Sequence, residues 1–184
     1  CTDKGMIKTT YGTGSSIMMN IGQKPVYSDR VVTSLAWKMN GQVNYVLEGN
    51  INYTGAVITW LKDELKLISS PSETEILANK ANPGDRSYLV PAFSGLGAPY
   101  WDSEASGILT GITRTTGRAE IVRAGLESIA YQITDVVNAM SEESGIKIQE
   151  LRVDGGPTRN KYLMQFQSDM LGSEVLVSDS EEMS

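Results

Sequence analysis

The sequence predicts an α/β layer fold with a mixed sheet. Three observations carry that expectation. The first third holds β-compatible runs arranged as two hairpins, the last third alternates strand with helix, and one apolar stripe keeps helical spacing for about 20 residues.

Taken in order, Met6 to Tyr11 and Ser16 to Ile21 are strand-compatible runs separated by Gly12-Thr13-Gly14, with glycines where a hairpin needs positive φ. Val31 to Trp37 and Val43 to Leu47 flank Met39-Asn40-Gly41-Gln42, and Asn-Gly is the strongest short-range cue for a tight turn. Two consecutive hairpins predict an antiparallel meander. From Asn52 the period changes: Tyr53, Val57, Trp60, Leu61, Leu65 and Ile68 form the stripe of an amphipathic helix that ends before Ser69-Ser70-Pro71. The polar stretch 71–87 holds a short helix over Glu73 to Lys80.

Tyr88 to Val90 predicts a short strand. The Gly- and Pro-rich run from Pro91 to Trp101 predicts a shaped loop that packs its own Phe93, Tyr100 and Trp101 on the body. Gly107 to Thr113 reads as a strand. Ile121, Val122, Leu126, Ile129, Ile133, Val136, Val137 and Met140 then give the strongest helical stripe, belonging to a helix that packs on the sheet. Leu151 to Val153 is a strand and Asp154-Gly155-Gly156 a turn. Asn160 to Leu171 is a helix burying Tyr162, Leu163, Phe166 and Met170, and Glu174 to Val177 closes the sequence as a strand.

Composition narrows the function classes. The 184 residues suit one domain, with 40% apolar and 21% charged residues, which places the chain among globular folds. Sixteen Lys and Arg against 22 Asp and Glu give a net charge of −6, so no global cationic field draws nucleic acid or anionic lipid. There is no histidine, which removes His-based acid/base and triad catalysis and His-containing metal sites within the chain. The single cysteine, Cys1, allows no internal disulfide or thiolate metal cluster. No apolar run reaches the roughly 18 residues of a membrane span, and a cytoplasmic protein is the expectation. The polar start and the end at Met183-Ser184 read as those of a fragment.

Two places have the physics for a phosphate-bearing ligand. Around Thr13 the flanking glycines let backbone N–H groups converge without Cβ obstruction, and the threonine adds a hydroxyl. At Val153-Asp154-Gly155-Gly156 a strand ends in paired glycines before a helix, so backbone can approach a ligand and the helix N-terminus favours negative charge. Asn160, placed one turn into that helix, reaches a base or ribose edge. Neither stretch matches a Walker loop or a dinucleotide fingerprint, and a plain turn explains each as well. Asp154 is expected to bond backbone amides. Glu104, Glu120 and Glu127 are read as solvated or structural, and Asp179 to Glu182 as a solvated surface. No catalytic and no metal-ligating residue is assigned.

The strings Thr9-Thr10-Tyr11-Gly12-Thr13-Gly14, Asn44-Tyr45-Val46-Leu47-Glu48-Gly49, Pro91 to Trp101, Leu126 to Gln132, Arg152-Val153-Asp154-Gly155-Gly156 and Met164 to Asp169 resemble the FGGY carbohydrate-kinase family in order and spacing. Gly107 to Glu127 is similar to its C-terminal signature. The resemblance covers nearly the whole chain. It implies that residues 1–184 are part of a C-terminal, actin-like (ribonuclease H-like) ATPase domain, holding ATP or ADP with Mg2+ against an N-terminal kinase domain. The implied activity is phosphoryl transfer from ATP to glycerol or another small polyol. In the family the catalytic Asp, followed by Gln, and the substrate domain precede the position of Cys1.

By the same resemblance Thr13, Gly55, Thr59, Gly156 and Asn160 contact the nucleotide. Thr59 departs from a glutamine found in relatives. Ser16 stands at a substrate position where a relative can offer phenylalanine, so a larger or more polar acceptor, such as a tetritol or pentulose, stays open. So do a homo-oligomer and a non-catalytic nucleotide-binding module on the same scaffold.

Overall fold

The structure is a computed structural model that describes residues 2–39 and 41–178. Cys1, Asn40 of the expected Asn-Gly turn and the acidic run Asp179 to Glu182 lie outside the described residues. The chain opens with four strands, β1 (Ile7–Tyr11), β2 (Ser15–Gly22), β3 (Val32–Met39) and β4 (Gln42–Ile51). Two helices follow, α1 (Gly55–Asp63) and α2 (Glu73–Lys80), then the small two-stranded sheet of β5 (Tyr88–Val90) and β6 (Ile108–Thr110). The long helix α3 (Arg118–Ser144) leads to β7 (Glu150–Asp154), α4 (Lys161–Leu171) and β8 (Glu174–Val177).

The main sheet has six strands in the order β3-β4-β2-β1-β7-β8. It is mixed: β1 runs antiparallel to β2 and parallel to β7, which is parallel to β8. The expected meander is corrected here, because β4 and not β3 pairs with β2. The reason is burial. β4 carries Val46, Leu47, Gly49 and Ile51 into the interior, whereas β3 has no buried residue and is suited to the edge.

The core lies between one sheet face and α3. Ile7, Ile17, Met19, Leu47, Leu151 and Val153 on the strands meet Ile129, Ile133, Val136 and Met140 on the helix, all at 0–1% exposure. The approach is so close at β4 that a Cβ on Gly49 would meet Val136 Cγ1 at 2.4 Å. Removal of such apolar surface from water is the main stabilising term. Helix α3 has 27 residues, longer than its apolar stripe, and stops at Gly145 in the left-handed region (φ 68°).

Other boundaries also differ from expectation. Helix α1 ends at Asp63 because Lys66 takes φ 54°, which turns the chain and leaves Leu65 39% exposed while Ile68 re-enters the core. Strand β6 ends at Thr110 because Gly111 turns at φ 73°, its α-carbon against Arg86 O. Met170, expected inside, is 38% exposed on the outer side of α4. The 91–101 loop is tied to the body, although its aromatics stay 40–57% exposed and are not packed away: Phe93 meets Tyr53 and Trp60 at centroid distances of 5.0 and 4.9 Å. The Tyr100 hydroxyl donates to Asp135, and Trp101 Nε1 donates to Arg30 O.

Candidate functional site

One edge of the sheet collects several strand ends. The C-terminal ends of β1, β4 and β7 and the start of β2 meet there, through the pairs Tyr11 with Ser15, Ser15 with Ile51 and Thr10 with Asp154. Beyond C-terminal strand ends is where open α/β sheets take ligands. The Gly12-Thr13-Gly14 hairpin, the start of α1 and the Gly155-Gly156 turn all lie along this edge.

The hairpin does more than reverse the chain. Gly12 O accepts the Gly55 N–H at 2.9 Å, and Thr13 O accepts the N–H groups of Thr54 and Ala56, both at 3.0 Å. Backbone carbonyls therefore cap α1, whose N-cap residue Thr54 makes no side-chain cap and instead shares a 2.7 Å hydrogen bond with Ser15 Oγ. Such closeness requires small residues: a Cβ on Gly55 would sit 2.7 Å from Gly12 O, and one on Gly14 2.5 Å from Ile51 O. The Gly12 N–H is engaged by Gly14 O, so the expected convergence of free amides is reduced. Thr13 remains exposed at the tip.

The paired glycines have different tasks. Gly155 has φ 99°, and a Cβ there would meet Tyr11 O at 1.9 Å, so it is fixed where the paired strands β1 and β7 end. At Gly156 a Cβ would meet nothing within 4 Å; the exposed backbone faces open space. A 3-10 turn that begins at Gly156 and runs to Arg159 stands between Gly155 and α4, which corrects the expectation of a helix starting at once. Asn160 is likewise not inside the helix but is its N-cap, with Oδ1 accepting from Leu163 N at 2.9 Å. Glu75 Oε2 accepts the Lys161 N–H at 2.9 Å. A protein carboxylate thus already complements this helix start.

Between these elements opens a cleft of about 610 Å³, the size range of small-ligand sites. Gly55, Ile58 and Thr59 of α1 form one wall, and Gly156, Pro157 and Asn160 face them. Leu126 and Leu163 make an apolar floor, and Pro71, Thr74 and Glu75 close one side. Lys62, ion-paired with Asp63 at 3.1 Å, and Arg159 stand on the lining with Glu75. Four of the five residues expected at a nucleotide therefore share one cleft, and Thr13 is tied to the start of α1 beside it through its own carbonyl.

Ser16 lies elsewhere. Its neighbour Ser15 points inward to Thr54, so by strand alternation Ser16 projects from the opposite sheet face, with Thr10 and Asn50 as register partners. On that same face Asp154 is ion-paired with Lys8 at 2.7 Å. Glu120 and Glu127 are structural: Glu120 accepts from Asn82 N and Gly117 N, both at 2.9 Å, and Glu127 accepts from the Tyr162 hydroxyl at 2.6 Å. Glu104 is exposed. Pro71, Thr74 and Glu75 were not foreseen at the cleft, since contact across 86 residues leaves no mark in local spacing. Among the described residues no group of three or more His, Cys, Asp or Glu is placed to hold a metal, and no helix is long and apolar enough to cross a membrane.

Residues 7–184 match the model of the FGGY family of carbohydrate kinases, C-terminal domain. The chain is 54% identical over 176 residues to a glycerol kinase from Petrotoga mobilis, covering 95% of this chain and 35% of that protein. It is 52% identical to one from Paraburkholderia phytofirmans, covering 96% and 36%. It thus spans about a third of the length of these curated relatives. The crystal structure of Plasmodium falciparum glycerol kinase with ADP superposes with a TM-score of 0.91 at 41% identity, over 98% of this chain and 36% of that one. A xylulose kinase from Lactobacillus acidophilus shares the fold at TM-score 0.81 and 21% identity, over 98% and 36%. The fold is the actin-like one implied by the sequence resemblance.

Proposed function

The chain belongs to the FGGY family of carbohydrate kinases as a C-terminal domain, and we propose on that footing that it holds ATP and ADP for phosphoryl transfer to glycerol. The observation that carries this reading is the cleft that gathers Gly55, Thr59, Gly156 and Asn160 beside the Thr13 hairpin. The likeness to glycerol kinases above 50% identity supports glycerol as acceptor.

The residues fit the task by their chemistry. The open space at Gly156 admits a nucleoside against the backbone, and the leucine floor offers an apolar surface for its base. Asn160 keeps hydrogen-bonding capacity toward the cleft, and the exposed Thr13 hydroxyl can donate to a phosphate oxygen. Magnesium is expected to arrive with ATP, held by the phosphates together with the one or two carboxylates such an ion ordinarily takes; among the described residues no cluster of three or more His, Cys, Asp or Glu is placed to hold a metal.

Phosphoryl transfer rests on positioning and charge stabilisation, with a carboxylate to accept the acceptor's hydroxyl proton. The described chain offers no free carboxylate at the cleft for that step: Glu75 is engaged by Lys161 N, and Asp154 is buried in an ion pair on the other face. Residues 1–184 are accordingly read as the nucleotide half, and the general base and most of the polyol site as belonging to a separate N-terminal domain.

A chimera tests this. When the chain replaces the matching third of the Petrotoga mobilis glycerol kinase, glycerol-dependent ADP release from ATP is the expected result. A folded chimera that binds ADP but turns over no polyol supports instead a non-catalytic nucleotide module.

A further inference from the structure

Asn160 faces the cleft with its amide held from two sides. Oδ1 accepts from Leu163 N at 2.9 Å, and Nδ2 donates to Thr74 Oγ1 at 3.0 Å. Thr74, on α2, is only 1% exposed. Its single hydroxyl proton goes to Pro71 O at 2.6 Å, so toward Asn160 its oxygen can only accept. That fixes the amide orientation: nitrogen to Thr74, oxygen to the helix. One N–H and one lone pair of Asn160 are left for a ligand. Glu75, the next residue, binds Lys161 N, so two consecutive residues of α2 hold the first turn of α4.

We propose that Thr74 is a positioning residue of the nucleotide site, aligning the Asn160 amide so that its remaining N–H points into the cleft before the nucleotide arrives. The inference rests on the nucleotide reading of that cleft. A pre-aligned donor binds more tightly than one that must be ordered on binding. The buried hydroxyl, 86 residues from Asn160 and with no contact to the ligand required, acts only through that amide.

The test is a calorimetric MgADP titration of the chain and of Thr74→Val, Thr74→Ser, Asn160→Ser and the double variant Thr74→Val/Asn160→Ser. Serine keeps the cap at position 160 while removing the amide. Thr74→Val should raise the Kd by about tenfold, the scale of one hydrogen bond, and Thr74→Ser should restore it. In the Asn160→Ser background Thr74→Val should add nothing, the signature of coupled residues. A Thr74→Val variant that binds as the parent does, or that loses the same factor in both backgrounds, overturns the positioning role. A folded parent chain that binds no ADP removes the nucleotide reading itself, and the inference with it. If Thr74→Val does not fold, NMR of the parent reads the same bond: slowly exchanging Asn160 side-chain amide protons support it, and rapidly exchanging ones contradict it.

Discussion

The α-carbon of Gly155 lies so close to Tyr11 that a Cβ there would meet the tyrosine carbonyl oxygen at 1.9 Å. This is a main-chain contact between the ends of β7 and β1, and no rotamer change relieves it. Its neighbour Gly156 has open space at the same point. The two glycines, alike in sequence, differ in what they serve.

Gly155→Ala should therefore destabilise the fold by about 3 kcal/mol or more, combining positive φ with a backbone clash. Gly156→Val should melt within a few degrees of the parent, since surface changes are usually within about 0.5 kcal/mol. Thermal denaturation followed by circular dichroism distinguishes them. Equal melting temperatures for the two variants would contradict the assignment.

Tyr11 carries a second buried contact. Its hydroxyl donates to Gln167 Oε1 at 3.1 Å, while Gln167 Nε2 donates to Thr134 Oγ1 at 3.0 Å. Burial pushes the Tyr11 phenol far up from its ordinary value. Tyr11→Phe leaves the glutamine oxygen unpaired in the core, and the expected loss is about 1–3 kcal/mol. Chemical denaturation should show it as a lower midpoint with an unchanged slope. An unaltered midpoint would mean that Gln167 finds another donor.

The acid limb of stability has a named source. The Asn82 N–H foremost, with the Gly117 N–H, holds the Glu120 carboxyl below the ordinary carboxylate range. Asp85 is held low chiefly by the hydroxyls of Ser87 and Thr116. Because the folded values are depressed, this stabilisation is complete above the ordinary carboxylate range and is lost as pH falls through and below it. Glu120→Gln should lower the melting temperature at neutral pH and flatten its decline in acid. A decline as steep as in the parent would place the acid sensitivity elsewhere.

The acceptor role that the sequence resemblance implies for Ser16 has its own test. The side chain projects from the sheet face opposite Ser15, between the register partners Thr10 and Asn50. In the chimera, Ser16→Phe should raise the KM for tetritols and pentuloses by about tenfold relative to glycerol, the scale of a changed apolar contact. An unchanged preference across a polyol panel would remove Ser16 from the acceptor site.

Much of this was legible in the sequence where a local pattern carries the physics. The stripe from Ile121 to Met140 fixes the helix that covers the sheet, and the glycines at 12, 14, 155 and 156 mark the sheet edge beside which the cleft opens. What escaped depends on neighbours distant in the chain. Strand order turned on which of β3 and β4 carries the buried residues, which hairpin cues do not report. The apolar Leu65 looked helical until Lys66 turned the chain at positive φ. Asn160 fitted a helical run, but the 3-10 turn before it made it the cap, and its partner Thr74 lies 86 residues upstream.

Nucleotide binding in the cleft between α1 and the Gly156–Asn160 turn is the proposal on which the rest depends. It is tested by calorimetric titration of the folded chain with MgADP, run beside Gly156→Val. Saturable one-to-one binding is expected of the parent, and none of a Gly156→Val variant with the parent's melting temperature. Undiminished affinity in that folded variant would contradict it, because a valine side chain at 156 would occupy the space the nucleoside needs.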